Sequence, residues 1–214
     1  MVELSKRLVT SFLLLSFVAL SLINNVILFI LLIFFLYQLI FEFNFIFKKI
    51  FNKKKIYHLV FQFLSIIYIT FIVIKLWTIF TGNNDTNKLY IYIIFLICIF
   101  SDIGGFIFGK TFRGKKLTKI SPNKTISGMI GSFILSMTVV VIYSQKYFEI
   151  TNIIIFTILI SFISQIGDLI ISYLKRKAQI KDTGNILPGH GGALDRLDGL
   201  IFAIPLGLFL KNLL

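Results

Sequence analysis

Five aspartates hold the best prospect of chemistry in this sequence: Asp102, Asp168, Asp182, Asp195 and Asp198. Asp195 and Asp198 are three residues apart, a spacing that puts two side chains on one face of a helix. Carboxylates gathered in this way repel one another, and a divalent cation relieves the repulsion. Ligands that are all oxygen favour a hard ion such as Mg²⁺. The plainer alternative, that Asp195 pairs with Arg196 or with lysines of nearby loops, suits one aspartate better than it suits the set. Two stretches rich in lysine and glycine accompany them, GGFIFGKTFRGKKLTKISPNKTISGMIG at 104–131 and KRKAQIKDTGNILPGHGG at 175–192. Glycine lets backbone N–H groups come close to phosphate, and lysine neutralises it. Metal-binding carboxylates beside such loops point to chemistry on a polyphosphate, although neither stretch contains the GxxxxGK[ST] of a P-loop. His190, in Pro188-Gly189-His190-Gly191-Gly192, reads on its own as a structural loop histidine.

The elements that must position these residues are membrane helices. Apolar residues make up 57% of the 214 positions and charged residues 14%, and the mean hydropathy is +0.92. The apolar excess falls into runs long enough to cross a hydrocarbon core, which takes roughly 20 residues of helix. No period-2 alternation accompanies it, so a β-barrel is excluded. The fold class expected is an all-α, polytopic transmembrane helical bundle with no soluble domain. About seven segments can be read: Leu8–Ile23, Val26–Phe41, Ile56–Phe80, Leu89–Phe108, Ile126–Ser144, Ile150–Leu174 and Leu194–Leu214. The first two form a tight hairpin across Asn24-Asn25; a signal peptide over the first run is the weaker alternative, because no small-residue cleavage site follows.

The net charge of +13 does not point to nucleic acid, because its placement is one-sided. When loops are numbered alternately, Lys6, Arg7, Lys48–Lys55, Lys110–Lys124, Lys175–Lys181 and Arg196 share one side, and the opposite side holds Lys88, Lys146 and Lys211. This positive-inside pattern makes the basic face cytoplasmic. All five aspartates then lie near that face. An ionised carboxylate within a span is costly unless paired, and it is a functional-site hypothesis by default. The single cysteine, Cys98, excludes an intrachain disulfide and reads as a packing residue.

The longest pattern is Ser172–Asp198, SYLKRKAQIKDTGNILPGHGGALDRLD. It resembles the signature of the phosphatidate cytidylyltransferase family, with Ser172, Lys175, Arg176, Lys181, Asp182, Gly184, Pro188 to Gly192, Asp195, Arg196 and Asp198 at the fixed positions and no insertion. Gln165 to Leu169, Asp102 with Gly104, and Ser121-Pro122-Asn123-Lys124-Thr125 are also similar to family elements. Ser127 stands where such families usually carry Glu, and the N-terminal membrane region is shorter than is common. The resemblance implies an Mg²⁺-dependent nucleotidyltransferase, with a second cation left open, that uses CTP and phosphatidate to make CDP-diacylglycerol and pyrophosphate. It assigns Asp168, Asp195 and Asp198 to the metal, and Lys175, Arg176, Lys181 and Arg196 to phosphates. Ser121, Lys124, Asp182, His190, Gly191 and Gly192 fall on the nucleotide side. Residues 1–100 are then N-terminal membrane helices, and 101–214 the catalytic membrane region. The implied setting is a bacterial inner membrane with the site facing the cytoplasm, among membrane lipids, and a homodimer is compatible with it. Two other readings, a CTP-dependent lipid kinase and an ion-coupled transporter, fit less well. The first lacks the full 172–198 pattern, and the second calls for charges nearer the bilayer midplane.

Overall fold

A computed structural model describes residues 16, 19–21, 23–118, 121, 124–143, 149–186 and 191–211. Its elements are helices: α1 Asn25–Ile50, α2 Lys55–Thr81, α3 Asp85–Phe112, α4 Ile126–Ser136, α5 Thr138–Tyr143, α6 Ile150–Lys177 and α7 Leu194–Leu210. Four of them, α1, α2, α3 and α6, are long and apolar enough to cross a membrane. The protein is a polytopic, all-helical membrane protein, as the hydropathy predicts. Large apolar side chains such as Ile30, Tyr37, Phe63 and Phe106 lie exposed along the helices, which is where a span meets lipid rather than water.

The expected segments need adjusting at two places, and a third is untouched by the structure. Leu8–Ile23 lies largely outside the described residues. The apolar run Val26–Phe41 ends where charge begins, yet α1 runs on to Ile50. Helices of 26 to 28 residues extend about 40 Å, against a hydrocarbon core of roughly 30 Å, so their charged ends stand beyond it. Ile126–Ser144, read as one span, is two helices that meet at Met137. There the Ser136 hydroxyl donates to the Phe133 carbonyl at 2.9 Å and the Thr138 hydroxyl to the Leu135 carbonyl at 2.7 Å. Such back-bonding competes with the helical ladder and bends it.

Local chemistry sets the ends. The Asn24 side chain accepts from the Val26 N–H at 2.8 Å and starts α1, and the Thr125 hydroxyl accepts from the Gly128 N–H at 3.1 Å and starts α4. Lys48 and Lys49 close α1, and Lys175, Arg176 and Lys177 close α6, where cations complement the helix dipole. After α6, Gln179 takes a left-handed φ of 55°. The Ile180 N–H reaches back to the Lys175 carbonyl at 3.0 Å and the Gln179 N–H to the Arg176 carbonyl at 3.1 Å. That is a Schellman stop with glutamine in the position usually held by glycine.

Two compact units divide the chain. One is Met1–Asp85 with Leu174–Leu197, and the other is Thr86–Tyr173 with Asp198–Leu214; α6 and α7 each give residues to both. In the first unit α1 packs on α2 through aromatic contacts, with Phe47 and Phe51 against Phe61 and Phe29 edge-on to Trp77. His58, near the start of α2, shares a 2.9 Å hydrogen bond with Asn44 of α1.

In the second unit α3 and α4 touch backbone to backbone. A Cβ at Gly104 would run into the Gly131 carbonyl, and one at Gly131 into Phe108 and the Gly104 carbonyl. The glycine-rich stretch 104–131 is largely helical: α3 continues four residues past the expected Phe108, to Phe112, and α4 begins at Ile126, where a span is expected. Most of those glycines therefore serve close helix crossing, as small residues do in membranes. The loop proper is shorter and folds back on itself, with the Leu117 N–H on the Lys124 carbonyl at 2.8 Å and the Ile126 N–H on the Lys115 carbonyl at 3.0 Å. Ser101 and Ser161 join α3 to α6 by a buried 3.0 Å hydroxyl pair.

Candidate active site

In the second unit, α3 supplies Asp102, α6 supplies Asp168, and α7 supplies Asp198. The three feel one another's negative charge, and the carboxyls of Asp168 and Asp198 lie close together. Two carboxyls in such contact need a shared proton or a cation. Lys124, from the loop before α4, makes an ion pair with Asp168, and the Ser172 hydroxyl lies 3.4 Å from the other Asp168 oxygen. The structure thus brings together four residues singled out from sequence, Asp102, Lys124, Asp168 and Asp198. Helix packing fixes their placement, since Gly167 sits against Phe202 and the Asp198 carbonyl, and Gly199 against Ser164.

Oxygen-only donors suit a hard divalent cation, and the Asp168–Asp198 pair, with a lysine ammonium already drawn to it, has the charge to hold one. Among the described residues no three His, Cys, Asp or Glu side chains form a ready-made metal cage. Ser121 gives its carbonyl to the Lys124 N–H at 3.1 Å, which shapes the loop that presents Lys124. Ser127, at the place of the expected Glu, donates its hydroxyl to the Arg113 carbonyl and pairs with the Thr125 hydroxyl at 3.0 Å. It ties the two ends of that loop together.

In the first unit, Asp195 opens α7 and its carboxylate is fully engaged. Lys175 Nζ donates to Oδ1 at 2.7 Å, while the Thr183 N–H at 2.8 Å and the Gly192 N–H at 3.0 Å donate to Oδ2. Sequence reasoning grouped Asp195 with Asp168 and Asp198 as ligands; its partners here are Lys175 and the loop before α7. Gly191 and Gly192, expected to approach nucleotide, have steric duties. Gly191 has a φ of +83°, which L side chains rarely adopt, and a Cβ at Gly192 would meet the Thr183 hydroxyl and Glu42. Arg176, Lys181, Asp182 and Arg196 are exposed. His190, together with Pro188 and Gly189, lies outside the described residues. A cleft of about 510 Å³ in this unit is lined by Phe45, Lys48, Lys49, Asn52, Ala178 and Gln179, none of them an expected site residue.

Residues 2–214 match the cytidylyltransferase family, nearly the whole chain. The chain belongs to the cytidylyltransferase family. A phosphatidate cytidylyltransferase of Rickettsia felis is 42% identical over 144 residues, 63% of this chain and 63% of that protein. Another, of Staphylococcus haemolyticus, is 43% identical over 131 residues, 59% of this chain and 50% of that protein. The chain thus matches between half and two thirds of the length of these relatives.

Two residues beside these candidates carry no sequence signature: Thr183, which touches Asp195 through both its N–H and its hydroxyl, and Glu42, which bonds the same loop from α1. Glu42 has only its position as a signal. It is an acid set directly after the uncharged, Phe-rich run that ends at Phe41.

Proposed function

We propose that this chain is a phosphatidate cytidylyltransferase: it transfers CMP from CTP to phosphatidate, giving CDP-diacylglycerol and pyrophosphate. The observation that carries the reading is the gap-free agreement of Ser172–Asp198 with the signature, in a chain whose relatives bear that name. In the reaction a phosphate oxygen of phosphatidate attacks the α-phosphorus of CTP. One P–O bond forms, the bond from the α-phosphorus to its bridging oxygen breaks, and pyrophosphate leaves with the electron pair. Both reactants are anions, so catalysis rests on neutralisation and alignment. Lys124, Lys175, Arg176, Lys181 and Arg196 would supply the positive charge, and Ser121, Asp182, His190, Gly191 and Gly192 would shape the nucleotide side.

Asp168, Asp195 and Asp198 are the residues we assign to Mg²⁺. The Asp168–Asp198 contact supports two of them, and the family pattern supports Asp195. When bound, the ion would polarise phosphoryl oxygens and offset developing charge. Turnover is expected to vanish in EDTA and to return with added Mg²⁺.

The site would face the cytoplasm of a bacterial inner membrane, where soluble CTP meets a lipid headgroup; the one-sided lysines support that orientation. Lys54, exposed between α1 and α2, reports on it. A Lys54→Cys thiol should react with impermeant reagent only from the cytoplasmic side, and the buried Cys98 should stay silent. Reaction from the periplasm would reverse the topology. The function itself is tested by incubating the folded protein in mixed micelles with labelled CTP, phosphatidate and Mg²⁺. A labelled CDP-lipid is expected, and its absence would sink the proposal.

A further inference from the structure

Glu42 is wholly buried in α1, and its carboxylate takes four donors. Gln38 Nε2 lies 2.9 Å and the Ala193 N–H 2.8 Å from Oε1; the Leu194 N–H lies 2.9 Å from Oε2, which also accepts the Thr183 hydroxyl. Gln38 comes from the same helix, and the other three belong to the stretch that leads into α7. The first N–H groups of any helix lack partners within it and carry its positive dipole end. A side chain at the cap usually meets that need, but the cap of α7 is Ala193, which has no acceptor and is among the poorest cap residues. Ala193 and Leu194 are both fully buried, so water cannot replace the missing cap. Glu42 does so from α1. Gly184 and Gly192 leave it room, since a Cβ at either would press on its carboxylate.

We propose that Glu42 is a positioning residue that caps α7 from α1 and so sets the geometry of Asp195 and Lys175. The coupling runs through Thr183, whose hydroxyl donates to Glu42 while its N–H donates to Asp195. Gly192 and Ala193, adjacent in sequence, hand their N–H groups to Asp195 and Glu42 respectively. The two carboxylates thus grip one loop. Displacing that loop would move Asp195 and the Lys175 paired with it, although Glu42 touches no substrate. This role rests on the cytidylyltransferase reading for its kinetic consequence, and on the hydrogen bonds alone for its structural one.

The test uses Glu42→Ala and Glu42→Gln in the full-length protein, with kinetics and amide hydrogen exchange read separately. Glu42→Ala should lower kcat about 100-fold, the cost of a small misplacement of reacting groups, with KM for CTP moving less than about threefold. Glu42→Gln keeps one acceptor oxygen and turns an amide toward Leu194 and Thr183; a loss of about tenfold is expected. In both variants exchange at Ala193 and Leu194 should rise about tenfold or more while α2 keeps its protection. Should Glu42→Ala fail to fold, Glu42→Gln decides. Wild-type kcat with unchanged exchange would overturn the proposal, and so would loss of protection spread evenly over α1 and α2. If the wild type makes no CDP-lipid, the enzymatic reading falls and the exchange result alone rules on the cap.

Discussion

Asp168→Ala and Asp195→Ala should each lower turnover by about 10³-fold or more, because each removes preorganised charge from a reaction between anions. Their effects on stability should differ widely in size. Asp195 accepts from Lys175, Thr183 and Gly192 at a site where its side chain is 9% exposed. Removing it leaves a shielded ammonium and two N–H groups without their acceptor, a loss of about 3–5 kcal/mol. Asp168 is held by Lys124 but repelled by Asp102 and Asp198. Its removal relieves that repulsion, so the melting midpoint in detergent should fall little or rise. Membrane insertion should be normal in both. Near-wild-type turnover in either variant would strike that residue from the metal set. A large loss of stability in Asp168→Ala would mean that the Lys124 pair outweighs the repulsion.

The second large effect lies away from the chemistry. Gly131→Leu should prevent α3 and α4 from docking, because its Cβ would already overlap Phe108 and the Gly104 carbonyl. A backbone carbonyl within a helix cannot swing aside as a flexible side chain can. Gly131→Ala should cost about 1–3 kcal/mol, the usual range for overpacking, and should lower the melting midpoint in detergent. The nearby Gly114 makes a useful control. It lies in the loop with only the Ser127 hydroxyl near a built Cβ, at 3.8 Å, and its φ of +105° is its main constraint. Gly114→Ala should therefore cost strain without a clash. A Gly131→Ala protein as stable as the wild type would contradict the close crossing.

Hydropathy made the membrane helices legible because lipid tolerates only segments that satisfy their own backbone. It did not mark their ends. A helix need not stop at the lipid boundary, and α1 carries Glu42, Lys48 and Lys49 past the point where the apolar run ceases. Glu42 was missed for that reason, since a charge at the end of a span reads as a terminus rather than as a buried anchor. Glycines posed a different difficulty. The residue type announces close approach, but whether phosphate or another helix approaches depends on what lies opposite, and Gly104 meets Gly131 only in the folded chain. Asp102, Asp168 and Asp198 stood out through their one-sided placement within apolar spans, and the structure brings those three together. The pairing of Lys124 with Asp168, and the commitment of Asp195 to Lys175 and the loop before α7, depend on contacts distant in sequence that no periodicity encodes.

The most direct test of the proposed chemistry follows both ends of one substrate. Purified protein in mixed micelles would receive phosphatidate, Mg²⁺ and CTP labelled in parallel at the α- or the γ-phosphorus. Cytidylyl transfer predicts α-label in a lipid product, γ-label in pyrophosphate, and no product once phosphatidate is withheld. A γ-label found in lipid would instead identify a CTP-dependent lipid kinase, and label in neither product from folded protein would contradict nucleotidyl transfer altogether.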